Sequence, residues 1–504
     1  MSVQEAYAAL VTWSKETTLL GSCASVLAWE EQTYMPAGGA EHRGNQLALL
    51  AGLRHEKLTD PSVGELLERV ANEKIDGGKD GVMAANIREW RRVYDRATKL
   101  PKSLVEELAK TTSTAQHEWA RARKKSDFSL FRPWLEKVIG LKRREAEALQ
   151  MGKVSYDALI DEYETGAKSE DIARVFEELR RELVPLVAAI GDAKRTPNLS
   201  ILQRHFPVER QQYFGELAAA TLGFDFQRGR LDKTTHPFCS GFGPGDCRIT
   251  TRYNPHFFNE AFFGILHEAG HGIYEQGLDP AHYGTPVGDA VSLGIHESQS
   301  RLWENEVGRG QPFWRHFYPL AQRTFREALA DVPFEDFYFA INDVQPSFIR
   351  VEADEVTYNL HILIRFEMEA ALLAGDLAPA DVPGVWNEKY TKYLGITPQN
   401  DAEGCLQDIH WSAGLVGYFP TYTLGNLYGA QLYLAAEKDL GSFEEPFARG
   451  DFRGLFDWMS AKIYRHGKRY LPTELIEKGT GAPPSSRPLL QLLRAKFGTL
   501  YDVR

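Results

Sequence analysis

The stretch FNEAFFGILHEAGHGIYEQG, residues 258–277, has the apolar spacing of a helix that is buried along one side. At about 100° per residue, an arc of about 100° collects the apolar side chains Phe258, Phe262, Ile265, Leu266, Ala269 and Ile273. His267 and His271 lie about 40° apart, roughly opposite the centre of that arc. The sequence therefore predicts an anchored helix that presents two imidazoles one turn apart, with Gly277 as its C′ residue.

Two histidines on one helix face, with a glutamate after the first, are typical of a catalytic zinc site. His267 and His271 are spaced to bind one Zn²⁺ at ~2.0–2.1 Å through two ring nitrogens. Glu268 is predicted to be the general base that acts on a metal-activated water. With 14 histidines in the chain, such spacing arises by chance on the order of a few per cent of the time. The alternative is a surface helix with two titrating histidines.

A catalytic zinc needs a third protein ligand and an open position for water. Asp289 is one candidate, although its surroundings resemble a loop. A helical pattern that starts about 25 residues after His271 offers His296, Glu297 and Glu304. Glu297 is the preferred third ligand, and its alternative role is an i, i+4 ion pair with Arg301.

The rest of the chain is predicted to be mostly helical. The helical pattern is interrupted between about 235 and 255. There a loop rich in Gly and Pro (236–246) precedes a β-branched run (247–253) that predicts a short strand. This run is the only clear strand signal. We therefore expect a mainly α fold over residues 1–504, a large helical catalytic domain with a small β-sheet beside a deep cleft, which could form two lobes.

The composition excludes several classes of protein. The 504 residues contain 58 Lys and Arg against 69 Asp and Glu, a net charge of −11, and 43 % are hydrophobic. This balance is typical of a globular protein, and it disfavours nucleic-acid and anionic-membrane partners. Residues 411–436 carry no charge, but their Gly and Tyr content predicts a buried segment rather than a membrane span. Four cysteines and no secretory signal predict a reducing cytoplasm.

A second group of polar residues follows the histidine helix. On a segment predicted to be helical, Arg350, Asp354 and Tyr358 share one face at i, i+4 and i+8. Arg350 is a candidate clamp for a substrate carboxylate, oriented by Asp354, and the alternative is a structural ion pair between the two. Arg248 on the predicted strand is a second candidate, with a structural pair to Asp246 as its alternative.

Near the uncharged segment, His410 and Tyr418 could stabilise a developing oxyanion. For each of them, a buried and satisfied polar residue is the alternative.

Taken together, six motifs in order closely resemble the carboxypeptidase Taq family of metallocarboxypeptidases. They are His236-Pro-Phe238; Asp246-Cys-Arg248-Ile-Thr250; His267-Glu268-Ala-Gly-His271; His296-Glu297-Ser-Gln299; Ile349-Arg350-Val-Glu-Ala-Asp354; and Gly404-Cys-Leu-Gln407-Asp408-Ile-His410-Trp411. The segment 29–39, which begins with Trp29, is similar to the start of that family, so the likeness covers essentially the whole chain.

The resemblance implies a cleft-containing helical fold like that of the thermolysin-clan oligopeptidases such as neurolysin. It also implies a cytoplasmic homodimer that removes single C-terminal residues from short peptides with broad specificity, using Zn²⁺ that Co²⁺ can replace. It supports Glu297 over Asp289 as ligand, Arg350 near the substrate carboxylate and Arg248 toward the closed end of the groove. His236 is expected to bind substrate or to help stabilise the oxyanion.

Two other functions remain open at this point. One is a zinc oligopeptidase that cuts internal bonds of short peptides, because a zinc site alone does not choose between the ends and the middle of a peptide. The other is a catalytically silent peptide-binding protein on the same scaffold.

Overall fold

The computed structural model describes residues 1–71, 78–151 and 154–503, which form a mainly helical fold with one small sheet, as the sequence predicts. In chain order the elements are α1 (Val3–Thr33), α2 (Ala40–Leu58), α3 (Pro61–Ala71), α4 (Val82–Lys99), α5 (Lys102–Lys125), α6 (Arg132–Leu149), α7 (Ser155–Ile160), α8 (Ser169–Gly191), α9 (Val208–Leu222), β1 (Gly229–Lys233), β2 (Cys239–Gly243), β3 (Asp246–Thr251), α10 (Phe258–Gly277), α11 (Leu293–Arg301), α12 (Gln311–Thr324), α13 (Arg326–Leu329), α14 (Phe334–Ile341), α15 (Thr357–Ala374), α16 (Val382–Leu394), α17 (Pro420–Leu440), α18 (Glu444–Ala448), α19 (Arg453–Lys462), α20 (Pro472–Thr480) and α21 (Arg487–Tyr501). A π-helical turn, Leu302–Val307, continues α11.

One compact unit comprises Met1–Thr98, Asn198–Ile341 and Leu432–Pro483. At its centre α10 packs against α9, α11 and β3. The apolar arc predicted for α10 is buried along its whole length. Its aromatic side chains join a cluster in which Phe258 stacks on Phe262 at 5.2 Å between centroids and Phe262 lies 5.2 Å from Trp314. Burial of these rings anchors the helix that carries the two histidines.

The sheet in this unit has three strands in the order β1-β3-β2. Strand β3 pairs parallel with β1 and antiparallel with β2. The expected small sheet is present, but part of the predicted loop is wrong, because β2 lies within it, and β3 ends at Thr251 rather than at 253. Two glycines and an irregularity between Gly241 and Gly243 hide β2 from sequence patterns, since its extended form depends on pairing with β3.

The other compact unit comprises Lys99–Pro197, Asn342–Gln431 and Pro484–Arg504. Helix α15 runs through its core and packs against α7, α8 and α16. Two charged side chains of α15, Arg365 and Glu369, are fully buried. Buried charges require partners, and Glu369 accepts hydrogen bonds from the Tyr156 hydroxyl at 2.7 Å, the Trp411 indole at 3.0 Å and the Gly417 backbone at 3.0 Å.

The uncharged segment 411–436 is largely buried, as predicted, and it includes most of helix α17. Across the described part of the chain, no helix combines the length and the apolar character that a bilayer span requires.

Candidate functional site

Helices α10 and α11 approach closely because a glycine lies between the two histidines. A Cβ atom on Gly270 would lie 2.5 Å from the carbonyl oxygen of Gln299 and 2.7 Å from the Cα atom of Ser300. Any larger residue would push the helices apart. The close approach brings His267 and His271 beside Glu297 of α11.

Gly277 has a packing role rather than the predicted role of a C′ residue. It is the last residue of α10, Leu278 caps the helix, and its backbone is not left-handed. A Cβ atom on Gly277 would lie 2.5 Å from the ring of Tyr464. The expectation is wrong because the glycine makes room for a side chain that is distant in sequence.

The structure brings His267, His271 and Glu297 together. Oε2 of Glu297 lies 3.8 Å from Nε2 of His267 and 3.5 Å from Nε2 of His271. One ligand atom from each residue lies within 4.8 Å of the others. A tetrahedral ion bound at ~2.0–2.2 Å would separate its ligand atoms by roughly 3.4 Å. Two imidazoles and one carboxylate at this spacing therefore fit a zinc ion with one position left open.

Glu297 forms its predicted ion pair while its second oxygen faces the two histidines. Its Oε1 atom accepts a hydrogen bond from Nε of Arg301 at 2.9 Å, while Oε2 faces the imidazoles. Burial alone would raise the pKa of Glu297, but Arg301 and the two histidines outweigh burial and hold that pKa well below its usual range. The ion pair and the ligand role are therefore compatible, because the ion pair keeps the carboxylate ionised.

Glu304 contacts the ring nitrogen of His267 that faces away from Glu297. It lies in the π-helical turn, and its Oε2 atom is 2.9 Å from Nδ1 of His267. Arg301 and Arg309 pair with the carboxylate of Glu304 at 3.2 and 3.4 Å. Burial would raise the pKa of Glu304, but these charges lower it to about 2. An ionised Glu304 accepts a hydrogen bond from the N–H at Nδ1 of His267, which leaves the lone pair on Nε2 available to a metal.

His271 has a different partner. Its Nδ1 atom lies 2.6 Å from Nδ1 of His296, and Nε2 of His296 lies 2.8 Å from Oε1 of Glu275. Burial lowers the pKa of His271 to about 4, so its imidazole is neutral near pH 7, as metal binding requires. Of the ligands considered on α11 and the turn after it, only Glu297 joins the group.

Asp289 lies outside the group. Its side chain is 47 % exposed and its carboxylate is 3.8 Å from Nζ of Lys468. Among the described residues, the group that could hold a metal ion contains Glu297 and not Asp289.

Glu268 follows the first histidine on α10 and is 6 % exposed. Burial raises the pKa of Glu268 to about 7, although His267 opposes the shift. A carboxylate with a pKa near neutrality is suited to accept a proton and return it.

Arg248 lies on β3 with its guanidinium between a carboxylate and aromatic rings. It donates to both oxygens of Asp246 at 2.9 and 2.8 Å. The guanidinium also lies 4.3 Å from the ring centroid of Trp29. The structural alternative for Arg248 is therefore present, and the contact with Trp29 connects the N-terminal motif to the sheet.

Two of the family-like motifs are joined through Thr250. Its hydroxyl accepts from the backbone N–H of Phe238 at 2.8 Å and donates to the Phe238 carbonyl oxygen at 2.9 Å. His236, two residues before Phe238, is exposed in the connection between β1 and β2. Thr250 thus holds the end of the connection that carries His236.

In the second unit, Asp408 joins two buried arginines. Its Oδ1 atom accepts from Arg350 at 2.9 Å and its Oδ2 atom accepts from Arg365 at 2.7 Å. Gln407 accepts from the backbone N–H of Arg350 at 2.8 Å and from the guanidinium of Arg365 at 2.7 Å. Two cations and one anion leave one positive charge in excess. Burial opposes ionisation of Asp408, yet the arginines hold its pKa well below the usual range.

The expected pairing of Arg350 with Asp354 is wrong. Arg350 lies in a short 3₁₀ turn, and α15 begins only at Thr357, so residues 350–358 do not form one helix. The Asp354 carboxylate instead accepts from the backbone N–H groups of Val356 and Thr357, both at 2.9 Å. Asp354 therefore caps the start of α15, which is a common use of a short acidic side chain. Tyr358 does contact Arg350, at 3.1 Å.

His410 and Tyr418 lie near each other in the same unit, with ring centroids 5.4 Å apart. His410 is 8 % exposed and its Nε2 atom lies 3.2 Å from the hydroxyl of Tyr422. Its Nδ1 atom has no hydrogen-bond partner within the described residues. Burial lowers the pKa of His410 to about 4. His410 is therefore a buried neutral imidazole whose Nδ1 atom lies 3.9 Å from Oδ1 of Asp408, beyond hydrogen-bond distance.

Sequence patterns missed four groups that complete these sites. Arg309 and Glu275 support the histidines, and Arg365 and Asp408 complete the cluster around Arg350. Asp408 and Gln407 belong to a family-like motif, which was a usable signal. Arg365 lies within an apolar helical pattern. A single cationic side chain in such a pattern predicts a buried anionic partner.

The chain resembles known proteins over nearly its whole length. The profile of the carboxypeptidase Taq (M32) metallopeptidases matches residues 9–497. Thermostable carboxypeptidase 1 of Thermus thermophilus is 47 % identical over 511 aligned positions, which cover 99 % of this chain and 100 % of the relative. Carboxypeptidase 1 of Bacillus subtilis is 39 % identical and covers 95 % of both chains.

A crystal structure supports the same relationship. The M32 carboxypeptidase of Deinococcus radiodurans R1 matches with a TM-score of 0.96 and 42 % identity, over 99 % of this chain and 100 % of that chain. These findings confirm the prediction of a metal-dependent carboxypeptidase and do not support the oligopeptidase alternative. The chain belongs to the carboxypeptidase Taq (M32) family of metallopeptidases.

Proposed function

We propose that this metal-dependent carboxypeptidase uses Zn²⁺ to release single residues from the C-termini of short peptides with broad specificity. The observation that carries the proposal is the group of Nε2 atoms of His267 and His271 and Oε2 of Glu297. The outward nitrogens of both histidines are already engaged, at 2.9 and 2.6 Å. The ligand atoms are therefore oriented toward one point before any ion binds.

When bound, a zinc ion supplies Lewis acidity and lowers the pKa of a coordinated water to about 7. Glu268 accepts the proton of the attacking water and returns it to the leaving amine. Its burial and raised pKa support this role, since a base with a pKa near the working pH both takes up and releases a proton.

Arg350 is proposed to bind the C-terminal carboxylate of the peptide. Its described contacts with Asp408 and Tyr358 use three of its five N–H groups. The excess positive charge around Asp408 favours an anionic ligand. Arg248 is proposed to contact substrate toward the closed end of the groove and His236 to bind substrate, as the resemblance implies. Asp354 contributes indirectly, by capping α15.

His410 and Tyr418 are proposed to stabilise the oxyanion. A neutral imidazole carries one N–H, and the unused nitrogen of His410 can present it to a developing negative charge. Tyr418, half-buried beside His410, adds a hydroxyl donor.

A peptide digest followed by mass spectrometry tests the reaction. Metal-free enzyme is expected to be inactive, and Zn²⁺ or Co²⁺ is expected to restore a ladder of peptides shortened one residue at a time from the C-terminus. A protein that binds one zinc ion per chain but leaves peptides intact would instead be a silent peptide-binding protein. Internal fragments would contradict the proposed exopeptidase.

A cytoplasmic homodimer is proposed as well, on the basis of the resemblance. Helix α2 offers a surface for it, because α2 buries none of its side chains and Leu49 and Leu53 are 64 % and 41 % exposed. Light scattering is expected to give twice the chain mass of 56.9 kDa. The mass of a single chain would contradict the homodimer. An unchanged dimer in Leu49→Glu would contradict an interface on α2.

A further inference from the structure

The two histidines of the proposed metal site are held by different kinds of group. The Nδ1 atom of His267 contacts a carboxylate, Glu304, at 2.9 Å. The Nδ1 atom of His271 instead contacts a second imidazole, that of His296, at 2.6 Å. His296 in turn contacts Oε1 of Glu275 through Nε2, at 2.8 Å. Two side chains in series, His296 and then Glu275, are therefore linked by hydrogen bonds to the Nδ1 atom of His271.

Hydrogen-bond chemistry limits the tautomers that His271 and His296 can adopt together. An ionised carboxylate only accepts, so Nε2 of His296 carries the proton that it shares with Glu275. In the tautomer of His296 that is protonated on Nε2 alone, Nδ1 carries a lone pair that can accept from the N–H at Nδ1 of His271. This leaves the lone pair of His271 on Nε2, the atom that lies 3.5 Å from Oε2 of Glu297. The opposite direction would place a proton where a metal must bind.

The surrounding residues limit the movement of the His296 and Glu275 side chains. Glu275 is four residues after His271, so both project from one face of α10. The ring of Tyr274 lies 5.1 Å from that of His296. A Cβ atom on Gly241 would lie 2.4 Å from Oε2 of Glu275. The absence of a side chain at Gly241 therefore leaves the space that the Glu275 carboxylate occupies between α10 and β2.

We propose that Glu275, acting through His296, is a positioning residue that holds His271 in the tautomer and orientation that bind the metal. The inference rests on the metal site proposed above. Neither residue supplies a ligand atom, and Glu275 acts only through His296. Partners of this kind typically change metal affinity by about 10–100-fold.

The test is the zinc affinity of the metal-free enzyme, measured by competition with a chromophoric chelator. Glu275→Ala and His296→Leu are each expected to weaken zinc binding by about 10–100-fold. The double variant is expected to bind zinc no more weakly than His296→Leu alone, because Glu275 is proposed to affect the metal site only through His296. Glu275→Gln keeps the size and one accepting oxygen, so its loss should be smaller.

Two controls separate the possible failures. Glu260→Ala removes another glutamate of α10, one that pairs with Arg252, and should leave zinc affinity unchanged. His271→Ala removes the ligand itself and should weaken binding more than any positioning variant. Melting of the metal-free proteins, followed by circular dichroism, checks that each variant is folded. If Glu275→Ala is unfolded, the conservative Glu275→Gln carries the test.

The outcomes are distinct. Weakened binding in His271→Ala with wild-type affinity in Glu275→Ala, Glu275→Gln and His296→Leu would overturn the inference and leave the metal site intact. Losses that add in the double variant would overturn the route through His296. Wild-type affinity in His271→Ala would overturn the metal site itself.

Discussion

Arg301 pairs with Glu297 through the one carboxylate oxygen that does not face the histidines. The Nε atom of Arg301 lies 2.9 Å from Oε1 of Glu297, whereas Oε2 lies 3.5 Å from Nε2 of His271. Arg301 also reaches Glu304, the partner of His267, at 3.2 Å. One guanidinium therefore orients both Glu297, a proposed ligand, and the carboxylate that supports His267.

Arg301→Gln is expected to lower the zinc affinity by about 10–100-fold, because the carboxylates of Glu297 and Glu304 lose the charge that orients them. Chelator competition measures the effect. Arg315→Gln is a matched control, since Arg315 pairs with Glu444 on the surface. Equal zinc affinity in Arg301→Gln and wild type would show that Glu297 is oriented without its ion pair.

Glu268→Gln is expected to keep one bound zinc ion and to lose about 10²–10⁴-fold in kcat, because the amide cannot accept a proton from water. Metal analysis and peptide hydrolysis of the same sample measure the two quantities. Glu260→Gln, on the same helix, should retain both. Turnover close to wild type in Glu268→Gln would remove Glu268 from the role of base.

Arg350→Gln is expected to reduce kcat/KM on peptides with a free C-terminal carboxylate by about 10–100-fold, the range for a charged hydrogen bond. C-terminal amides of the same peptides lack the charge, so their slower hydrolysis should change little. The ratio of the two rates is the measurement. An equal loss on both substrates would mean that Arg350 has a structural role only.

Asp408→Asn is expected to destabilise the protein by about 3–5 kcal/mol, because it leaves Arg350 and Arg365 buried without their shared anion. Denaturant unfolding measures the change. Asp331→Asn removes an exposed carboxylate that pairs with the half-buried Arg204, and it should have little effect. A small effect of Asp408→Asn would show that Gln407 and Tyr358 satisfy the guanidiniums on their own.

The buried Glu369 is expected to make stability depend on pH. Burial raises the pKa of Glu369 to about 7, above that of an exposed glutamate, so its contribution is complete below about pH 4.5 and is lost as pH rises through 7. The full change is about 3 kcal/mol. Glu369→Gln should therefore gain stability relative to wild type between pH 5 and pH 8 in denaturant unfolding of the metal-free proteins. A constant difference would mean that the three donors keep Glu369 ionised throughout this range.

Local patterns were sufficient for the helix that carries the histidines. The apolar arc of α10 is buried as predicted, because the 3.6-residue period alone sets which side chains share a face. Glu297 was predicted together with competitors, and of these candidates it is the one that lies with the two histidines in a group of described residues that could hold a metal ion. The roles of His410, Tyr418, His236 and Arg248 stay predictions, as does the arrangement of one catalytic domain in lobes around a cleft.

Other expectations failed where a distant residue competes with a local pattern. Asp354 was paired with Arg350 because they are four residues apart. The carboxylate instead caps α15, and Arg350 pairs with Asp408, 58 residues away. Strand β2 has little strand propensity, and pairing with β3 supplies its hydrogen bonds. Such contacts join residues that are far apart in the sequence, so the spacing of residues along the chain does not predict them.

By itself, the sequence determined the helical class, the buried face of α10, the pair of histidines with Glu268 between them, and the ordered motifs of a carboxypeptidase. These features depend on residue type and on spacing within one or two turns. Only the tertiary structure decided which carboxylate lies beside the two histidines, which groups support each histidine and which anion holds Arg350. Those choices depend on distances of 2.6 to 3.8 Å between side chains on different elements, and packing alone brings such atoms together.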